Sequence, residues 1–68
     1  MNKYDWSNVP SHIMWIATDK NGFKSGFTDK PFCESDYGFW DNGLPSIPMH
    51  DSEFKGNWKD SLEERPND

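Results

Sequence analysis

The sequence has a single cysteine, Cys33, and few large aliphatic side chains: Val9, Ile13, Ile16, Leu44, Ile47 and Leu62. One cysteine excludes an internal disulfide framework and matches a reducing compartment. Long apolar runs are missing too. Nothing approaches the ~20 residues that span a bilayer, and the opening MNKYDWSNVP lacks the apolar stretch of a secretion signal. The expectation is therefore a cytoplasmic protein with no membrane partner. Cations are scarce: seven Lys and Arg stand against twelve Asp and Glu, for a formal net charge of -5. Direct nucleic-acid binding relies on cations neutralising phosphates, so this balance disfavours it and points to a partner with a basic surface.

Constellations that carry chemistry are lacking as well. His12, Cys33, His50 and Asp51 are the obvious metal ligands, and no two have a structural-zinc spacing. Asp19, Asn21 and Gly22 look superficially like a calcium loop, but Ala17 stands where an oxygen ligand is required and no closing glutamate follows. Nothing places Cys33 or a serine beside His12 or His50 with a third group to orient a base. The expectation is no catalytic residue, no metal and no cofactor.

What the chain does have is aromatic residues: four Trp, five Phe and two Tyr in 68 residues. Each buries about 150 to 250 Å², while a domain of this size hides only about 60% of its unfolded surface. Some rings must therefore face outward. The residues read as core are Trp15, Phe23, Phe27 and Phe39, and the binding candidates are Tyr37, Trp40 and Phe54, whose strand face or loop setting leaves them beside that core. Exposed rings of this kind are enriched in interface hot spots.

The predicted fold is a small β or α+β domain, an antiparallel sheet of three to four strands with a short C-terminal helix or turn. Residues 1–10 form an arm in which Trp6 closes the core and Tyr4 is the more exposed ring. Residues 11–29 form a hairpin. Asp19-Lys20-Asn21-Gly22 supplies the turn, with Gly22 where a left-handed residue is needed. A three-residue loop with a glycine bulge sets Trp15 opposite Phe27 and Ala17 opposite Ser25; a two-residue turn would pair Ile16 with Phe27 instead. The first is preferred because register follows burial. Phe32 to Asp36 reads as a loop, and residues 37–50 supply further strands, from Tyr37 to Trp40 and around Ile47 to His50. Pro45 and Pro48 confine the latter to an edge. Residues 57–65 read as one or two helical turns capped by Asn57 and stopped by Pro66, with Trp58 and Leu62 on one side and a frayed end from Arg65 to Asp68. Glu63 and Glu64 oppose the helix dipole there, so the segment depends on docking.

Asp5-Trp6-Ser7-Asn8-Val9-Pro10 at one end and Trp58-Lys59-Asp60-Ser61-Leu62-Glu63-Glu64-Arg65-Pro66 at the other resemble a pattern in small accessory proteins of tailed bacteriophages. The middle segment, Trp15 to Asp19 followed by the glycine turn and Phe23, is also similar. The resemblance implies a phage product in the host bacterial cytoplasm that binds and inhibits or redirects a host protein, in takeover or counter-defence. It carries no catalytic residues with it. Two other functions fit the composition: a nucleotide-signal sponge that stacks its ligand on aromatic planes, with Lys24, Lys55 and Lys59 toward phosphate, and an acidic DNA mimic. Homo-oligomerisation fits each of them, since it would cover spare rings.

Overall fold

A computed structural model describes residues 2–67. Six short strands are present: β1 (Trp15–Thr18), β2 (Phe23–Phe27), β3 (Phe32–Glu34), β4 (Phe39–Asp41), β5 (Ile47–Asp51) and β6 (Glu63–Glu64), with one 3-10 turn at Trp58–Asp60. They form a four-stranded sheet in the order β5-β2-β1-β6 and a separate β3-β4 pair, antiparallel throughout. The small antiparallel sheet and the C-terminal turn are as the sequence predicts.

The hairpin forms by the turn chemistry written into it. Gly22, at φ +90°, donates its N–H to the Asp19 carbonyl, and Asp19 N–H reaches the Phe23 carbonyl, both at 2.9 Å. The loop is three residues long, and Trp15 faces Phe27 while Ala17 faces Ser25. Strand alternation then sends Ile16 and Thr18 to one face and Trp15 and Ala17 to the other. On the first face Ile16 packs with Ile13 and Tyr4. Gly26 lies on that face for a steric reason, since a Cβ there would come within 2.7 Å of the Ile13 side chain. On the second face Ala17 and Phe27 are buried.

The core differs from expectation. Of the four rings assigned to it, Phe27 is fully buried, Trp15 is half-buried, and Phe23 and Phe39 are exposed. Tyr4, expected outside, is 3% exposed and belongs to the central cluster, with Trp6 packed against it. The physical reason is the polar end of the tyrosine. Its hydroxyl meets Thr18 Oγ1 at 2.7 Å and donates to the Ser61 carbonyl at 2.8 Å, so the ring fills apolar space without stranding a polar atom.

A chain of hydroxyls surrounds that phenol. Tyr4 has one hydrogen, given to Ser61 O, so Thr18 donates to Tyr4 and Ser52 donates to Thr18 at 2.6 Å, while Ser52 Oγ accepts Phe54 N–H. Ser61 completes the cluster. Its Oγ accepts Thr18 N–H at 2.8 Å and lies 3.1 Å from Thr18 O, occupying the place on β1 where a neighbouring strand's backbone would pair.

That contact also decides the C-terminus. Asn57 caps Lys59 N–H as expected, and of the one or two turns expected a single 3-10 turn forms. Beyond Ser61 the chain extends, and Glu63 pairs with Ile16 in β6, so Leu62 does not share a helical face with Trp58. Extension removes the unfavourable dipole position of Glu63 and Glu64 and turns Glu63 to use: it accepts Trp6 Nε1–H and Lys3 N–H, each at 2.8 Å. Arg65 is not frayed. Its N–H donates to Met14 O at 2.7 Å, and its guanidinium reaches the carbonyls of Ile13, Pro10 and Val9 and lies over the Trp6 ring. Met1 and Asp68, at the ends of the expected arm and frayed tail, lie outside the described residues.

Phe32 to Glu34, expected in a loop, is strand β3. It pairs with β4 through a turn closed by Tyr37 and Gly38 N–H groups on the Glu34 carbonyl, with Gly38 at φ +82°. This places Tyr37 in the turn and shifts the strand to Phe39–Asp41. The β3-β4 pair is fastened to the end of β1 by Lys20 N–H on Gly38 O and Trp40 N–H on Asp19 Oδ1. At the other side of the large sheet, β5 is an edge strand as predicted. Pro48 lies opposite Ser25, whose backbone groups are directed to Ala17, so the proline's missing donor falls on the free edge.

Candidate functional site

Three of the four exposed rings, Phe32, Tyr37 and Phe39, gather on the β3-β4 hairpin; the fourth, Phe23, stands at the start of β2. The hairpin's register pairs Phe32 with Asp41, Cys33 with Trp40 and Glu34 with Phe39. Directly opposite residues share a face, so Phe32, Glu34, Phe39 and Asp41 lie on one side, and Cys33 and Trp40 on the other. The first side is a checkerboard of two rings and two carboxylates. Phe32 is 66% and Phe39 38% exposed. Tyr37, 75% exposed, leans from the turn onto Phe39 with ring centres 5.9 Å apart and planes 28° apart, a stacked pair held in the open.

The carboxylates on this side are not neutralised. Among the described residues the single ion pair is Lys24 with Glu53, elsewhere on the molecule, so Glu34 and Asp41 make no ion pair there. Asp41 spends one oxygen on the Gly43 N–H at 3.1 Å. The cation-ring contacts, Lys24 over Tyr4, Lys30 over Trp15 and Arg65 over Trp6, leave Phe32, Tyr37 and Phe39 uncovered. A cation arriving from outside would find both a ring face and a carboxylate.

The three residues singled out from the sequence are not brought together. Tyr37 belongs to the exposed cluster. Trp40 is half-buried on the opposite side of the hairpin, its Nε1–H 3.3 Å from the Trp58 carbonyl. Phe54 packs into the centre: its ring lies 6.4 Å from that of Tyr4, and a Cβ on Gly56 would come within 2.8 Å of it. Phe32 and Phe39, unassigned to binding by the sequence, are the other members of the patch. Their signal was the repeated ring-x-acid order of Phe32-Cys33-Glu34 and Phe39-Trp40-Asp41 on either side of Gly38.

A groove of about 520 Å³ runs between the β1-β2 turn and the C-terminal turn, lined by Asp19, Lys20, Phe54, Trp58 and Lys59 among others. Lysines are there, as a phosphate would need, and the half-buried Phe54 in its wall also packs against Tyr4 and Gly56. Asp19 is half-buried beside it. Burial pushes its carboxyl above the ordinary range, with the Trp40 N–H pulling the other way.

The buried hydroxyls lie within hydrogen-bond reach of one another around Tyr4. Burial raises the Tyr4 phenol, against the lowering effect of its bonds to Thr18, Ser61 and Ser52. Every hydrogen bond in the network runs between hydroxyls and backbone groups, and none brings in a histidine or carboxylate to take a proton. Such a cluster fastens the four segments together. Among the described residues no group of three His, Cys, Asp or Glu side chains is arranged to hold a metal ion. No helix among them is long and apolar enough to cross a membrane.

Scans against protein-family models, curated proteins and solved structures return no match to this chain.

Proposed function

We propose that this is a non-enzymatic binding protein that docks on the basic surface of a partner protein through the outer side of the β3-β4 hairpin. The observation that carries this reading is the coincidence, on one side of one hairpin, of three exposed rings with carboxylates that make no ion pair among the described residues. Rings supply desolvation energy and unpaired charge supplies orientation, which is the division of labour in protein interfaces. The biological setting, a phage accessory protein inhibiting or redirecting a host bacterial protein in its cytoplasm, rests on the resemblance of the chain's two ends to such proteins.

The test is capture from bacterial lysate with the tagged protein and with its Phe32→Ser/Tyr37→Ser variant, both checked for equal melting temperature. A stoichiometric protein should be held by the wild type, released as salt rises, and held at least about 30-fold more weakly by the variant, as loss of about 2 kcal/mol at a hot spot implies. Equal capture by the two proteins would refute the assignment of the face.

A further inference from the structure

The checkerboard specifies more than a positive charge. Each cross-strand pair sets a ring beside a carboxylate with Cβ atoms about 4.5 to 5.5 Å apart: Phe32 with Asp41, and Phe39 with Glu34. A lysine ammonium is a strongly hydrated point charge and uses such a seat poorly. A guanidinium is planar and weakly hydrated, so it can lie on the ring while its N–H fork points at the carboxylate.

The spacing of the seats sets the spacing of their occupants. Phe32 and Glu34 are two residues apart on β3, and the two seats are therefore about 6.7 Å apart along the strand. An extended peptide repeats on one side with the same step. Resting on the reading of this face as a docking surface, we infer that its occupant is an extended segment of the partner protein carrying two arginines two residues apart. One guanidinium sits on Phe32 beside Asp41 and the other on Phe39 beside Glu34.

The seats are unequal. Tyr37 stacks on Phe39 and widens that platform, and Glu34 has no ion-pair partner among the described residues. Asp41 already accepts the Gly43 N–H. The Phe39-Glu34 seat is the stronger.

The experiment titrates the full-length protein with three capped peptides of equal charge on a Gly/Ser background: Arg-Ser-Arg, Lys-Ser-Lys, and two adjacent arginines. Binding is followed by NMR shifts of the hairpin amides. Arg-Ser-Arg should bind about tenfold more tightly than Lys-Ser-Lys, as two exposed cation-ring contacts imply, and more tightly than the adjacent pair. Glu34→Gln should weaken it more than Asp41→Asn, and Phe32→Ser should reduce the preference for arginine, with melting temperatures unchanged. Equal binding of the arginine and lysine peptides, indifference to spacing, or no binding at all would overturn the inference. In any of those cases the docking face itself stands if lysate capture is still lost in Phe32→Ser/Tyr37→Ser, and falls if it is not.

Discussion

Small polar side chains hold positions in this molecule that a larger protein would give to aliphatic ones, and Ser61 shows why. Its hydroxyl is the partner of the buried Thr18 N–H. Ser61→Ala leaves that donor unpaired, at an expected cost of about 1 to 3 kcal/mol. Thermal unfolding should show a drop on the order of 4 to 8 °C per kcal/mol in a chain this short, whereas an unchanged melting temperature would mean that the hydroxyl does not close the β1 ladder. Acid sensitivity is also set at single residues. Burial tends to raise the Glu53 carboxyl, but Lys24 and the backbone N–H groups of Asp5 and Glu53 itself outweigh it and hold it below the ordinary range. A depressed folded value means stabilisation that is present above the unfolded value and lost as pH falls through the folded one. Asp19, raised by burial, has the opposite sign. Glu53→Gln should therefore cost less than about 1 kcal/mol at neutral pH, given its exposure, and the gap to wild type in urea titrations should close in acid. A gap that stays constant with pH would sink the electrostatic account. These roles were not legible in the sequence: nothing local marks Tyr4, Thr18, Ser52 and Ser61 as neighbours, because they meet only when four separate segments pack.

At the scale of elements, legibility followed the range of the interactions. The β1-β2 hairpin was readable to the register, since Asp19, Asn21 and Gly22 close the turn among themselves and burial of Phe27 selects between the two alternatives. The edge position of β5 was readable from Pro48. Strand β3 was not, because three residues are too few to show alternation and Phe32-Cys33-Glu34 becomes a strand only by pairing with β4. The C-terminal turn is readable because Asn57 signals its cap locally, whereas the extension at Glu63 and Glu64, where a second helical turn would lie, comes from β1. The binding candidates inherited these errors, so Tyr37 was placed rightly in the open while Phe39 was assigned to the core. The latch on the C-terminal strand is Arg65, which spans three carbonyls of the segment leading into β1. Arg65→Ala should lower unfolding free energy by about 1.5 to 3 kcal/mol. Amide exchange should also speed up at Glu63 and Arg65 before it does in the β1-β2 hairpin. Uniform loss of protection through the sheet would instead make Arg65 part of the global core.

The whole molecule solves a shortage of aliphatic material by building its centre from one phenol, two isoleucines and a closed set of hydroxyls, with Phe27 and Ala17 on the reverse of the sheet. That solution leaves Phe32, Tyr37 and Phe39 to spare, and the β3-β4 hairpin displays them, exposed, beside Glu34 and Asp41. A core that uses few of its rings and a surface that groups three of them are two consequences of one composition. The most direct test of the resulting account is a hydrogen-exchange footprint of the complex with the partner captured from lysate, compared with the free protein. Protection concentrated on residues 32–41 and absent from β5 is the predicted result; protection on the β5 edge or around Phe54 and Trp58, with the hairpin unchanged, would contradict it.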